Sequence, residues 1–155
     1  MTDTPDASTQ PTEVVITREM QASPDLVYAL WLNAQAMMLW FGVDGITNTA
    51  CKTDPRVGGT WRMDATGPNG AFHIGGTYLA LEPGRRIVMS WVHVGADGVQ
   101  GNETEAEIRF DPIPEGTRVT VRHSRIRFTP QSFQMGWEQS LGRMAAQALA
   151  LVQEA

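Results

Sequence analysis

The side chains of this chain that are best suited to acid or base chemistry are its three histidines, His73, His93 and His123. Histidine titrates near neutral pH, so it can transfer a proton, and its imidazole is also a common metal ligand. A metal site would require these residues to converge with carboxylates, but no two of them are two or four residues apart and each falls in a different predicted strand. The pattern predicts hydrogen-bonded structural histidines, with no metal site and no assigned catalytic residue.

Nucleophilic and phosphate-binding motifs are also missing from the sequence. The single cysteine, Cys51, has no assigned base beside it, and the motif Gly-x-Ser-x-Gly does not occur. The pairs Gly58-Gly59 and Gly75-Gly76 lie within predicted strands and do not open helices, unlike the glycines of phosphate-binding loops. We therefore expect no cofactor.

Composition excludes further classes of protein. The chain has 155 residues and a formal net charge of -5, with charges of both signs scattered along it, so it lacks the basic surface that binds nucleic acid. No apolar run approaches the roughly 20 residues of a membrane-spanning helix, and the N-terminus does not have the pattern of an export signal. A lone cysteine suits a reducing compartment. We expect a soluble cytoplasmic protein with no membrane span.

The elements that must position any site begin with a long C-terminal helix. Thr129 is the predicted N-cap and Pro130 the first helical residue, where its missing N–H is not needed. One apolar stripe then follows at helical spacing. Its members are Phe133, Trp137, Leu141, Met144, Ala148 and Val152. Because most of the preceding chain has strand periodicity, we expect this helix to lie across a sheet.

The N-terminal third of the chain contains one strand and two short helices. Residues 1–11 carry too little apolar surface to order, so they predict a disordered tail ahead of a single domain over 12–153. Alternation from Thr12 predicts a first strand, in which Arg18 lies either inward or at the rim. Ser23 and Pro24 predict the start of a helix, and a second short helix follows over 34–41.

The middle of the chain predicts an antiparallel meander. Turn residues such as Gly67-Pro-Asn-Gly70 and Gly95-Ala-Asp-Gly98 separate segments with a period of two. The predicted strands are 46–52, 58–65, 71–82, 85–94, 103–111 and 116–125. The rows predicted to face inward are Trp61 and Met63; Thr104, Ala106, Ile108 and Phe110; and Val119, Val121 and His123. In 85–94 both rows are apolar, and we favour the row from Ile87 to His93 as the inward one.

Several ordered segments resemble a known family. They are Ala22-Ser-Pro, Trp40-Phe41, Asp54-Pro-Arg-Val-Gly-Gly59, Gly76-Thr-Tyr-Leu-Ala-Leu-Glu-Pro83, Arg86-Ile-Val-Met-Ser-Trp91, Gly116-Thr-Arg-Val-Thr-Val-Arg-His123 and Gly136-Trp137. Over about residues 12–152 the chain resembles the heat shock protein 90 ATPase activator-like branch of the START-like (SRPBCC) superfamily. The resemblance implies an α+β helix-grip fold, in which a curved antiparallel sheet of six to seven strands holds two short helices and the long C-terminal helix.

The same resemblance bears on whether the interior is filled or hollow, a question that the residues alone leave open. Its aromatic and methionine side chains can interlock as a plain core or line a cavity between sheet and helix. The candidate ligand-binding residues are Trp40, Phe41, Trp61, Met63, Phe72, Met89, Trp91, His93, His123, Phe133, Trp137, Leu141 and Met144. Of these, Phe133, Trp137, Leu141 and Met144 are the expected cavity wall on the last helix, whereas the part of the helix around Gly136, Ser140, Ala145 and Ala148 suits close packing.

Three functions follow as hypotheses. The favoured one is a binding module, monomeric or homodimeric, that holds a hydrophobic small molecule or lipid. The family name suggests a second, a chaperone-associated module in a stress response. The third is an enzyme of the cyclase, aromatase or hydrolase type, with His93 or His123 as acid or base and Arg109 or Arg18 orienting a carbonyl. An enzyme is the less favoured reading.

Overall fold

A computed structural model describes residues 12–154 of the chain. The tail predicted for residues 1–11 lies outside the described residues. The elements are β1 Thr12–Met20, α1 Pro24–Leu32, α2 Ala34–Trp40, β2 Thr47–Thr53, β3 Thr60–Gly67, β4 Gly70–Glu82, β5 Arg86–Val94, β6 Thr104–Ile113, β7 Gly116–Ile126 and α3 Pro130–Glu154. Each predicted strand is present, and its observed ends differ from the predicted ends by at most two residues.

The seven strands form one antiparallel sheet in the order β1-β7-β6-β5-β4-β3-β2. Consecutive strands from β2 to β7 are neighbours, as hairpin connections require. The N-terminal strand β1 is the edge strand next to β7, and α3 packs against it. The α+β helix-grip fold is confirmed: a curved sheet carries two short helices and one long C-terminal helix. No helix within residues 12–154 is long and apolar enough to cross a membrane.

Local chemistry explains where the short helices begin. The Ser23 hydroxyl accepts the N–H of Leu26 at 3.2 Å, and Pro24 opens α1 as predicted. Asn33 ends α1 and caps α2, because its side-chain oxygen accepts the N–H of Ala36 at 2.9 Å. A single residue in extended conformation therefore ends one helix and starts the next.

The long helix starts at Pro130 as predicted, but Thr129 does not have the predicted cap conformation. Its φ is 51°, in the left-handed region, whereas an ordinary N-cap is extended. The N–H of Ser132 bonds to the carbonyl oxygen of Thr129, 3.0 Å away, instead of its hydroxyl. The predicted apolar stripe also ends early, since Val152 is 43% exposed while Ala148 is fully buried.

Sheet faces follow the predicted alternation. The inward rows of β3, β6 and β7 are buried, from Trp61 through Phe110 to His123. In β5 the favoured row is buried as far as Trp91, but its last member, His93, is exposed at the end of the strand. Ser90, on the opposite row, is buried as well. Its carbonyl oxygen accepts the indole N–H of Trp61 at 3.1 Å, and its hydroxyl accepts the N–H of Thr77 at 2.8 Å.

The centre of the core is an aromatic cluster around Trp31. This fully buried indole contacts Trp40, Phe110 and Trp137 at ring-centroid distances of 5.0, 5.6 and 6.0 Å. The cluster joins α1, α2, β6 and α3, so it fixes the long helix relative to the sheet.

Candidate functional site

A cavity of about 810 Å³ lies between the N-terminal half of α3 and the part of the sheet formed by β3, β4 and β5. Four connections surround it: residues 41–46 after α2, the β3–β4 turn at 67–70, the β5–β6 loop at 95–102, and residues 128–129 before α3. Phe128 is 65% exposed there, so the cavity opens to solvent beside the start of the helix.

The walls are mainly aromatic and aliphatic. Their larger apolar members are Phe41, Met63, Phe72, Ile74, Trp91, Phe133 and Trp137. Phe41 and Trp91 stack nearly in parallel, with ring centroids 5.3 Å apart and planes at 19°, and Trp137 lies against Trp91 at 5.2 Å. Side chains held against one another in this way form a rigid apolar wall.

Three polar side chains on α3 hold the loop that closes one side of the cavity. The Ser140 hydroxyl accepts the N–H of Gly42 at 2.9 Å and donates to the Gly42 carbonyl oxygen at 3.1 Å. The neighbouring Gln139 accepts the N–H of Asp44 at 2.7 Å, and Arg143, one turn farther along the helix, forms an ion pair with Asp44 at 2.6 Å. These bonds hold the 41–46 loop against the helix, so this side of the cavity is preformed.

His123 lies behind the aromatic wall, fully buried and bonded at both ring nitrogens. The Trp137 indole N–H can only donate, and it bonds to Nδ1 at 3.0 Å, so the hydrogen of the neutral ring is on Nε2. Nε2 donates to the Thr104 hydroxyl at 2.7 Å, which donates in turn to the Trp91 carbonyl oxygen at 2.9 Å. Burial lowers the pKa of His123 to about 3. The imidazole is therefore neutral and orients Trp137, and neither nitrogen is left to transfer a proton.

His93 is the one histidine that lines the cavity. It is exposed at the rim, yet its ring stacks on Phe72 with centroids 5.1 Å apart. Partial burial, and to a smaller extent the charge of His73, lowers the pKa of His93 below its ordinary value. At neutral pH it is an uncharged, flat side chain at the mouth of the cavity.

The other groups considered for an enzyme lie elsewhere. Arg109 is exposed on the outer face of the sheet and bonds to Glu107 at 3.1 Å. Arg18 is at the rim: it is exposed on β1 beneath α3 and lines a separate small depression. The histidines and arginines thus do not converge on the cavity.

Cys51 and the acidic residues form no metal site within residues 12–154. The Cys51 sulfur lies 3.9 Å from the Met37 sulfur. Burial, together with the nearby charge of Asp64, raises the pKa of Cys51 to about 11, so the thiol stays protonated at neutral pH.

The structure divides the thirteen candidate residues in two. Those that line the cavity are Phe41, Met63, Phe72, Trp91, His93, Phe133 and Trp137. Those that pack in the core away from it are Trp40, Trp61, Met89, His123, Leu141 and Met144. On α3 the division follows the length of the helix, because Gly136 and Ser140 line the cavity with Phe133 and Trp137, whereas Leu141 and Met144 pack in the core.

Sequence reasoning missed the polar part of the lining. Asn48 of β2, Asn102 before β6 and Asp97 in the β5–β6 loop all reach the cavity. Asp97 was recognisable only as a turn residue, and the asparagines carried no periodic signal. Their position depends on how the hairpins fold over the sheet.

Comparison with known protein families identifies the family to which this chain belongs. The model of the family described as activator of Hsp90 ATPase homolog 1-like protein matches residues 21–148. The chain belongs to this family. The resemblance seen in the sequence is thereby confirmed, and the match includes α1, α2, every strand from β2 to β7, and most of α3. A comparison with curated proteins found no match.

Solved structures with the same fold include several bacterial proteins. A protein from Chromobacterium violaceum is 27% identical, with a TM-score of 0.78 over 88% of this chain and 97% of its own. The AHSA1 protein from Silicibacter pomeroyi is 23% identical, with a TM-score of 0.77 over 90% and 99%. A protein from Rhodobacter sphaeroides is 20% identical, with a TM-score of 0.79 over 90% and 93%. The last two similarities show the AHSA1-like fold alone.

Proposed function

We propose that this AHSA1-like protein binds a hydrophobic small molecule in the cavity beneath the N-terminal half of α3. The observation that carries the proposal is the cavity itself. Its volume of about 810 Å³ lies within the roughly 300–1,000 Å³ typical of small-molecule sites, and its wall is apolar with a few polar groups at the rim.

The arrangement of the wall supports binding over chemistry. His123 is neutral and bonded at both nitrogens, and the two arginines considered for catalysis lie outside the cavity, so His93 at the rim has neither arginine beside it to orient a carbonyl. What remains is a preformed apolar surface, held by the aromatic stack and by the bonds between Ser140 and Gly42. A preformed site loses little conformational freedom when a ligand binds, which favours affinity.

The test is to obstruct the cavity without disturbing the fold. Ser132 is exposed, lies in the first turn of α3 and lines the cavity, so Ser132→Trp should place an indole in the mouth. Gln131 is equally exposed in the same turn and does not line the cavity, so Gln131→Trp is the matched control. In calorimetric titrations, the neutral apolar probe 2-naphthalenemethanol should bind the unmodified protein and the control. Its affinity for the Ser132→Trp protein should be at least about tenfold lower.

Two results would count against the proposal. One is the absence of saturable binding by any of a panel of neutral apolar compounds at millimolar concentration. The other is equal binding to Ser132→Trp and Gln131→Trp, since this would place the ligand outside the cavity.

The family description favours a second candidate, a chaperone-associated role. It names an activator of the Hsp90 ATPase, and this chain matches that family over most of its length. A pull-down with purified Hsp90, followed by measurement of its ATPase rate, tests this role. Lack of binding at micromolar concentration would remove it.

A further inference from the structure

We propose that the cavity selects flat aromatic ligands that carry a hydrogen-bond donor and no negative charge, and that it discriminates against carboxylates of the same shape. The inference rests on the proposed function, because it names the chemical class of ligand for the same cavity.

The charges around the cavity support this selectivity. No lysine or arginine is among the residues that line it within the described part of the chain. The formal charge in the lining comes from Asp97 in the β5–β6 loop, whose Oδ1 accepts the N–H of Val99 at 2.9 Å. His93 is uncharged at neutral pH because its pKa is lowered by burial. A bound carboxylate would lose water with no cation to replace it, which is unfavourable.

Two of the three asparagines that line the cavity, Asn48 and Asn102, present acceptors; the third, Asn69, is exposed in the β3–β4 turn. Both hydrogens of the Asn48 amide are used, because Nδ2 donates to the carbonyl oxygens of Met38 at 3.1 Å and Phe41 at 2.9 Å. A carbonyl oxygen can only accept, so these bonds fix the orientation of the amide and leave Oδ1 as its remaining polar atom.

Asn102 repeats the arrangement from another part of the chain. Its Nδ2 donates to the carbonyl oxygens of Glu103 at 3.1 Å and Arg125 at 2.8 Å. The polar atom that it retains is again Oδ1. These two amide oxygens and the Asp97 carboxylate can only accept, so each is matched by an N–H or O–H group of a ligand.

The aromatic walls favour a flat and, where charged, positive ligand. Phe41 and Trp91 present nearly parallel rings, and the Phe72–His93 pair is stacked at 26°. The facing sides of each pair are covered by the partner ring, so a ligand ring would stack on an outer face. The electron-rich face of an indole also attracts an ammonium group.

Three probes of one shape test the selectivity at pH 7.5: 2-naphthalenemethanol, 2-naphthylmethylamine and 2-naphthoate. The first is neutral, the second a cation and the third an anion. We expect the alcohol and the amine to bind, and the carboxylate to bind at least about tenfold more weakly because its charge is left unpaired. The Ser132→Trp protein shows whether each probe occupies the cavity.

Asp97→Asn isolates the contribution of charge, because asparagine keeps an Oδ1 that can accept the N–H of Val99. Asp97 is exposed, so its removal should weaken the amine about two- to fivefold and leave the alcohol unchanged. Asp111→Asn is the control, because Asp111 is exposed on β6 and does not line the cavity.

The outcomes separate the two proposals. If the alcohol binds in the cavity and the carboxylate binds as tightly or more tightly, the selectivity is overturned and the proposed function stands. If Asp97→Asn and Asp111→Asn weaken the amine equally, the assigned role of Asp97 is wrong. If none of the three probes binds, the selectivity is overturned, and the proposed function fails with it when the panel of neutral apolar compounds also shows no saturable binding.

Discussion

Replacing His123 with glutamine should flatten the acid dependence of the protein's stability. The imidazole is fully buried, accepts from Trp137 and donates to Thr104, so a proton added to Nδ1 would break the bond to the indole. Glutamine has a carbonyl oxygen that can accept and an NH2 group that can donate, and it does not titrate in this range. The comparison therefore removes the titration while keeping two hydrogen-bonding groups at the site.

The sign and the size follow from the pKa. Burial lowers the pKa of His123 from 6.5 to about 3 in the folded protein, so between these values the unfolded chain binds a proton that the folded chain excludes. The contribution of this group to stability is fully present well above pH 6.5 and is lost progressively as the pH falls from 6.5 towards 3. At 1.36 kcal/mol per unit, this one group removes about 2 kcal/mol of unfolding free energy between pH 7 and pH 5.

Urea denaturation at pH 7, 6 and 5 measures the effect for both proteins. The unmodified protein should lose about 2 kcal/mol more than His123→Gln between pH 7 and pH 5. The control is His93→Gln, which should change the pH dependence less because His93 is exposed. Equal losses for the unmodified protein and His123→Gln would refute the buried neutral imidazole.

Three further changes test other parts of the structure by urea denaturation. Trp137→Phe removes the indole donor and leaves a buried ring nitrogen unpaired, so it should lower the free energy of unfolding by about 1–3 kcal/mol, and unchanged stability would contradict that bond. Gly76→Ala should lower the free energy of unfolding by about 2 kcal/mol or more, because the added Cβ would overlap the Ser90 carbonyl oxygen. Gly101→Ala is the control and should be tolerated, because the nearest atom to its added Cβ is 3.5 Å away. Similar effects at both sites would refute the close approach of Gly76 to Ser90. Tyr78→Phe removes a buried hydroxyl without a hydrogen-bond partner in the described residues, so stability should be unchanged or rise by about 1 kcal/mol, and a clear loss would show that the hydroxyl is satisfied.

The fold was predictable because its signals are local. Ser23 and Pro24 start α1, and Pro130 starts α3, for reasons of backbone geometry that act within one turn of helix. The β3–β4 hairpin turns at Pro68-Asn69 between the paired residues Gly67 and Gly70, as the turn chemistry indicates. Strand alternation then assigned most inward side chains.

The division of the long helix was not predictable from its stripe. Helical spacing shows which side chains face the protein, but not how far the sheet lies beneath them. Phe133 and Leu141 belong to one stripe, yet Phe133 lines the cavity and Leu141 packs in the core. Gly136 and Ser140, which suggested close packing, line the cavity and also bring the 41–46 loop to the helix.

The hydrogen bonds behind the cavity wall also required the structure. The sequence indicated that His123 is a hydrogen-bonded structural residue, but its partners Trp137 and Thr104 lie 14 and 19 residues away on other elements. The same holds for Asn48 and Asn102, whose amides bond to backbone carbonyl oxygens near the ends of α2 and β7. Contacts of this kind arise from the path of the chain, which local patterns do not encode.

The most direct test of the central claim is a titration of ¹⁵N-labelled protein with 2-naphthalenemethanol, followed by amide chemical shifts. Binding in the cavity predicts saturable shifts concentrated at the lining glycines Gly42, Gly95, Gly101 and Gly136, with little change in β1 or near Ala148 at the far end of α3. Shifts that do not saturate, or that cluster outside the cavity, would contradict the account.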